Sequence, residues 1–431
     1  MALSVQDMVR PGEVMDIYYY DADTSKKQAF PVSQNTKYVQ QFANLTGGSS
    51  VFTIPPNNGI QDIVLTLGMS VTATDCSGLA LPRAWGYGLI KQVSFRYGGS
   101  SQYFLTGDQL LQLASRKQPN RQAADDIWTL GGSALVNSEL ATTNYAYVVL
   151  TLPHSVPSAI NKANPLPTDL LTQQVQVTVE LNPIPSIFSV QTVDAHLGVP
   201  PASLASATFQ VQQVMLNNQS DALARRVDMA ENAYAFPCEF VQQAVRIPLA
   251  SSSTSQPVVL TGFRSGEVKA IHCWLTRTSD VGTSSPRLVN PFIWYDNAGV
   301  QMTYAGDVYA RYDSGNHLIW NLINSNKTPL VDNAAVAFGG GAYSDSPVTS
   351  YWTELPFAQT LEGEGSLNTL VHGKPITNGI VNLDITTPFA VRALANRLDP
   401  ADYLVYDGYG GFIGFHPRAT GAWRNCWMRS N

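Results

Sequence analysis

Apolar and polar residues alternate along most of this chain. In IVLTLGMSVTA, Ile63, Leu65, Leu67, Met69, Val71 and Ala73 share one parity, and Thr66, Gly68, Ser70 and Thr72 share the other. In VQVTVEL, Val175, Val177, Val179 and Leu181 alternate with Gln176, Thr178 and Glu180. In VNLDIT, Val381, Leu383 and Ile385 alternate with Asn382, Asp384 and Thr386. A period of two sends successive side chains to opposite faces of a strand. Each run therefore predicts a strand with one face in a core and one facing water, the pattern of antiparallel sheets packed on one side. The 32 Gly and 26 Pro punctuate these runs, as turns between many short strands require.

Helical signals are few. TGDQLLQLASRKQ, residues 106–118, predicts a helix capped by Asp108. SDALARRVDMAENAY, residues 220–234, predicts another, with Ser220 or Asp221 as N-cap. ASSSTSQP and FGGGAYSDSP read as loops. The fold class is all-β with short helical insertions.

Two stretches look alike. VSFRYGGSSQYFLTGDQLL and PFIWYDNAGVQMTYAGDVYARY both read as strand, tight turn, strand and a Gly-Asp that opens a short helix. Tyr97 and Tyr295 are 198 residues apart, and Gly107-Asp108 and Gly306-Asp307 are 199 apart. Further landmarks recur in the same order. Gly59 and Gly266 are offset by 207, Leu152-Pro153 and Leu355-Pro356 by 203, and Pro183 and Pro388 by 205. Each match is a common dipeptide or turn residue, but together they predict a tandem repeat of a β-unit of about 200 residues. The predicted divisions are an N-terminal arm over 1–45, a first unit over 46–219, a linker helix over 220–237 and a second unit over 238–431. A helical linker would hold the two units in a fixed orientation, which a Gly/Ser linker would not.

Composition sharpens this picture. Of 431 residues, 44% are hydrophobic, enough for large cores, but only 13% are charged, about half the usual share. The polar surface must then come from Ser, Thr, Asn and Gln, and a surface with few charges loses little when packed against copies of itself. Net charge is -6. The densest positive spots, Arg225-Arg226 and Lys26-Lys27, are only pairs, whereas phosphate binding needs several clustered basic residues. No direct nucleic-acid partner is expected.

The whole pattern resembles the double jelly-roll major capsid proteins of icosahedral double-stranded DNA viruses, the lineage of tailless membrane-containing phages and large eukaryotic DNA viruses. The resemblance covers most of the chain. GYGLIKQVSFRYGGSSQYFLTGDQLL, residues 86–111, is similar to the family's first-jelly-roll hairpin. FQVQQVMLNNQSDALARRVDMAENAY, residues 209–234, resembles the strand and Arg-bearing helix that cross between jelly-rolls. ADYLVYDGYGGFIGF, residues 401–415, is similar to the closing strand pair with its Gly-rich turn. The resemblance implies two tandem eight-stranded jelly-roll β-sandwiches and a chain that forms pseudo-hexagonal homotrimers. These would tile an icosahedral shell with neighbouring capsomers, minor capsid proteins and vertex proteins. It further implies a shell over an internal viral membrane, assembled from chains made in the host cytoplasm. The arm over 1–45 would link capsomers or face inward, or else add an edge strand or be a frayed terminus.

Candidate chemistry is sparse. Cys76, Cys238, Cys273 and Cys426 form no CxxC and no zinc-ligand spacing, so they read as buried free thiols. His154, His196, His272, His317, His372 and His416 are single, and His272, beside Trp274 in a strand, reads as a surface or interface residue. GYGGFIG, residues 408–414, lacks the spacing of a phosphate loop and reads as strand-turn-strand. Asp21, Asp23, Glu354, Glu362 and Glu364 read as solvated loop charges. The N-terminus lacks a secretory signal, so the sequons at Asn44, Asn218 and Asn326 are expected to be accidental. No catalytic, cofactor-binding or metal-binding residue, and no cofactor, is assigned. The competing readings are a two-domain jelly-roll glycan hydrolase, which needs only two or three acids placed by the fold, and a lectin-like glycan-binding protein.

Overall fold

The computed structural model describes residues within 32–216 and, beyond them, segments between 234 and 425, mainly the strands named below. The first span holds β1 Val32–Gln41, β2 Gly48–Ile54, β3 Gly59–Val71, β4 Leu79–Leu81, β5 Ile90–Arg96 and β6 Tyr103–Leu105. It continues with β7 Leu135–Val136, β8 Asn144–Leu150, β9 Leu166–Pro167, β10 Val175–Leu181, β11 Ser189–Val190 and β12 Ala202–Leu216. Helices α1 Trp85–Leu89, α2 Gly107–Arg116 and α3 Arg121–Leu130 lie between them. The second span holds β13 Tyr234–Pro237, β14 Val245–Pro248, β15 Ser255–Thr261, β16 Glu267–Val268 and β17 Ala270–Arg277. Then come β18 Trp294–Tyr295, β19 Gly299–Tyr304, β20 Asp307–Tyr312, β21 Val348–Thr349 and β22 Thr353–Pro356. The last are β23 Lys374–Pro375, β24 Ile380–Thr386, β25 Ala401–Tyr409, β26 Phe412–Phe415 and β27 Trp423–Asn425.

Two sheets carry the first span, ordered β1-β12-β3-β8 and β2-β10-β5-β6. Numbering these eight strands along the chain gives orders 1-8-3-6 and 2-7-4-5, the interleaved Greek keys of a jelly-roll. The second span repeats both orders, with β14-β25-β17-β22 and β15-β24-β19-β20. All described ladders are antiparallel, and none joins a strand of the first span to one of the second. The fold is a double jelly-roll.

The core sits where the alternation put it. Ile63, Leu65, Leu67 and Met69 of β3 and Val175, Val177, Val179 and Leu181 of β10 are all buried. They meet between the sheets, where the Phe52 ring of β2 stacks on Phe209 of β12 at 4.2 Å between centroids. Phe42 packs edge-on against Phe52 at 4.9 Å.

The repeat holds in strand order but not in every landmark. Pro183 and Pro388 each follow the equivalent strands β10 and β24 by two residues. The paired hairpins, by contrast, are not equivalent. Trp294-Tyr295 pairs with β21, and the equivalent of β5 is β19. Gly107 opens α2. Gly306, at φ +90, instead sits in the turn between β19 and β20, with Tyr304 opposite Asp307. A Gly-Asp suits either role, since Gly tolerates positive φ and Asp starts helices and turns alike.

Two further expectations change, and of the alternatives for the N-terminal arm the added edge strand is the one that forms over part of it. The predicted linker helix 220–237 ends in a strand: Tyr234–Pro237 pairs with Phe412–Phe415, because aromatic side chains favour a ladder once a partner strand is present. Its remaining residues lie outside those described. β25 and β26 are not a closing pair. They are separated by two residues yet join different sheets, β25 beside β14 and β17, β26 beside β13 and β27. Within the predicted arm, Val32–Gln41 is the edge strand beside β12.

Candidate assembly surfaces

Between β6 and β8 the chain forms a helical buttress. Thr106 and Gln109 cap α2 reciprocally. The Gln109 N–H donates to Thr106 Oγ1 at 3.3 Å, and the Thr106 N–H donates to Gln109 Oε1 at 2.9 Å. This is a capping box, so the cap is Thr106 rather than Asp108, one residue before the first helical position. Leu110, Leu111, Leu113 and Ala114 bury the helix face. The Trp128 indole N–H of α3 donates to Ser115 Oγ at 3.0 Å, and that hydroxyl donates to the Leu111 carbonyl at 2.8 Å. Arg83 fastens the outer side. Its guanidinium donates to Asp125 Oδ1, the Asp125 carbonyl and Thr129 Oγ1, each at 2.7 Å. Tyr87 of α1 is fully buried and accepts the Val149 N–H of β8 at 3.2 Å. Burial pushes its hydroxyl pKa well above the ordinary tyrosine range. α3 is not among the expected helices, although Asn120 stands just before it as an N-cap residue type, and the five-residue α1 is too short to show a period.

The buttress leaves both outer sheet faces open. On the first sheet the outward residues within 64–70 of β3, 145–149 of β8 and 206–210 of β12 are uncharged, and Asp62 of β3, opposite Gln212, is the charge beside them. Gly68 faces Tyr145 across the ladder. A Cβ there would lie 2.6 Å from Ser206 Oγ and 3.0 Å from the Tyr145 ring, so glycine lets that ring lie across β3. Tyr145 and Tyr147 remain exposed. On the second sheet, Thr178 faces Val51 on one side and Ser94 on the other, and Ser94 faces Phe104. A register shift leaves Lys91 without an opposite residue on β10. Such a bulge lets Ile90 and Val93 both point inward and frees Lys91 to pair with Glu180 at 2.6 Å. The faces thus offer hydroxyls, amides and a few apolar side chains, and covering them removes few charges from water.

The residues singled out for chemistry do not gather. Among the described residues no group of three His, Cys, Asp or Glu is close enough to share a metal ion. His272 lies in β17, opposite Glu354 of β22 and Asp407 of β25. Glu354 is thus a strand residue, not a loop charge, and the acid–His–acid row was invisible in a sequence that spreads it over more than 130 positions. Cys273 is its neighbour in β17. Asp21, Asp23, Glu362, Glu364, Cys76, Cys238 and Cys426 lie outside the described residues, as do the other five histidines.

No family model and no curated protein sequence matches the chain. Solved structures do. The fold is similar to VP54 of the virus PBCV-1, with 12% identity, TM-score 0.62, and 95% of this chain and 100% of that one covered. It is similar to the Faustovirus major capsid protein, with 9% identity, TM-score 0.56, and 90% and 92% covered. It is also similar to a chain of the Sputnik virophage, with 9% identity, TM-score 0.53, and 93% and 91% covered. At these identities it is the fold that is shared, and it is shared over nearly the whole chain. In architecture this protein is a double jelly-roll, the fold of the major capsid proteins of icosahedral double-stranded DNA viruses.

Proposed function

We propose that this chain is a viral major capsid protein that assembles as pseudo-hexagonal trimers into an icosahedral shell. The observation that carries this is the doubled strand order, 1-8-3-6 with 2-7-4-5, present twice in one chain. Three chains with two equivalent sandwiches each present six similar walls, which is how a trimer fits a six-fold lattice site. The sparsely charged outer faces support this, because lateral contacts between such walls desolvate few ions. The proposed divisions are an arm before Val32, the first sandwich from β1 to β12, a short connection ending before Tyr234, and the second sandwich. The proposed partners are neighbouring capsomers, minor capsid and vertex proteins, and an internal viral membrane. The chain would act in the virion after synthesis in the host cytoplasm, with no catalytic role.

The test is the solution mass of the purified chain by light scattering. The expected value is three times 46.8 kDa, persisting on dilution. A chain that stays monomeric at every concentration would overturn the proposal.

A further inference from the structure

The outer face of the second sheet carries a row that recurs in the other half of the chain. In the first sandwich the row runs Val51, Thr178, Ser94, Phe104 across β2, β10, β5 and β6. In the second it runs Val259, Asn382, Thr303, Val308 across β15, β24, β19 and β20. The strands are equivalent, 2-7-4-5 in both. In each row two small polar residues lie between two apolar ones on the outer strands. The apolar ends are in water: Val51 is 60% exposed, Phe104 37%, Val259 54% and Val308 55%. Of the seven exposed large hydrophobic residues among those described, these are four.

The residues themselves differ, since Phe104 matches Val308 and Ser94 matches Thr303. What repeats is the chemistry of a cross-strand row on equivalent strands. A period-two strand tolerates polar residues on its outer face, so alternation alone does not ask for four exposed apolar ends on the corresponding edge strands. A partner met in the same way by both halves of one chain must present the same surface twice. Copies of this chain do so, because each carries the sandwich in duplicate. The row also lacks the charge that a nucleic acid or an anionic lipid surface would select. We propose that these two rows are the equivalent contact strips by which each sandwich packs against a second copy of this chain. This rests on the capsid reading and assigns the contact to named residues.

The test uses the full-length chain and light scattering across a concentration series. Val51→Asp and Val259→Asp each place a charge at one strip, and the double variant places one at both. Circular dichroism and melting check the fold, which exposed positions should preserve. Val51→Thr with Val259→Thr keeps the β-branched shape should the Asp variants fold poorly. Leu130→Asp makes the same chemical change at an exposed apolar residue of α3, off both strips. The expected result is partial loss of assembled mass in each single variant and complete loss in the double. The Thr pair should shift assembly to higher concentration, and Leu130→Asp should behave as wild type. A double variant with wild-type mass, or a Leu130→Asp variant as defective as the double, overturns the strip assignment alone. A wild-type chain that never associates overturns both the strips and the capsid reading.

Discussion

Gly107 and Gly306 occupy the same dipeptide and should fail for different reasons. A Cβ on Gly107 would lie 2.0 Å from the Tyr87 carbonyl oxygen and 2.6 Å from that of Ile90. Both obstacles are backbone, and the Tyr87 carbonyl already accepts the Ile90 N–H that closes α1. Neither can rotate aside as a side chain would, so Gly107→Ala must push α2 about an ångström off its seat, towards a contact near 3 Å. That loosens the packing of Leu110, Leu111 and Leu113. Overpacking against fixed groups costs about 3 kcal/mol or more. For a unit of this size that lowers the melting temperature by about 6–12 °C. Gly306 has nothing within 4 Å of an added Cβ but holds φ +90. Gly306→Ala therefore carries only conformational strain, about 1–2 kcal/mol. Asn separates the two causes, because it tolerates positive φ far better than Ala. Gly306→Asn should recover most of the loss, and Gly107→Asn should not. Two sandwiches in one chain need not melt together, so amide exchange in α2 and in β19–β20 is the assay, with melting beside it. Equal losses for Gly107→Ala and Gly306→Ala, or a stable Gly107→Asn, would refute the steric account.

Two other perturbations follow from the buttress. Tyr87→Phe leaves the Val149 N–H without its acceptor and should cost about 1–2 kcal/mol near neutral pH. The raised pKa of Tyr87 means the folded state keeps a proton that the unfolded chain releases, so stability falls as pH rises above about 10; in urea melts the variant should lose less over that range, and parallel profiles would remove Tyr87 from the alkaline transition. Arg83→Ala removes three hydrogen bonds at 2.7 Å that tie α3 down. The partly exposed site limits the loss to about 1–3 kcal/mol, read as faster amide exchange in α3 than in β10; uniform exchange rates would show that the clamp does not hold the helix.

What the sequence determined by itself was local. Alternation placed Ile63, Leu65, Leu67 and Met69, and their counterparts on β10, in the core, because the strand period is a property of the backbone. The spacing of about 205 residues between Pro183 and Pro388 exposed the repeat, because insertions between these landmarks were nearly balanced. Which strand lies beside which was decided only by tertiary structure. β25 and β26 are neighbours in sequence and part company in space, and Glu354 and Asp407 come to flank His272 from far along the chain. A period of two says which face a side chain takes and nothing about the next strand over. The Gly-Asp pairs show the same limit from the other side. At Gly107 the deciding contacts are the carbonyls of Tyr87 and Ile90, and at Gly306 they are the ladder of β19 with β20. Helix or turn is settled there by neighbours that no window of sequence contains.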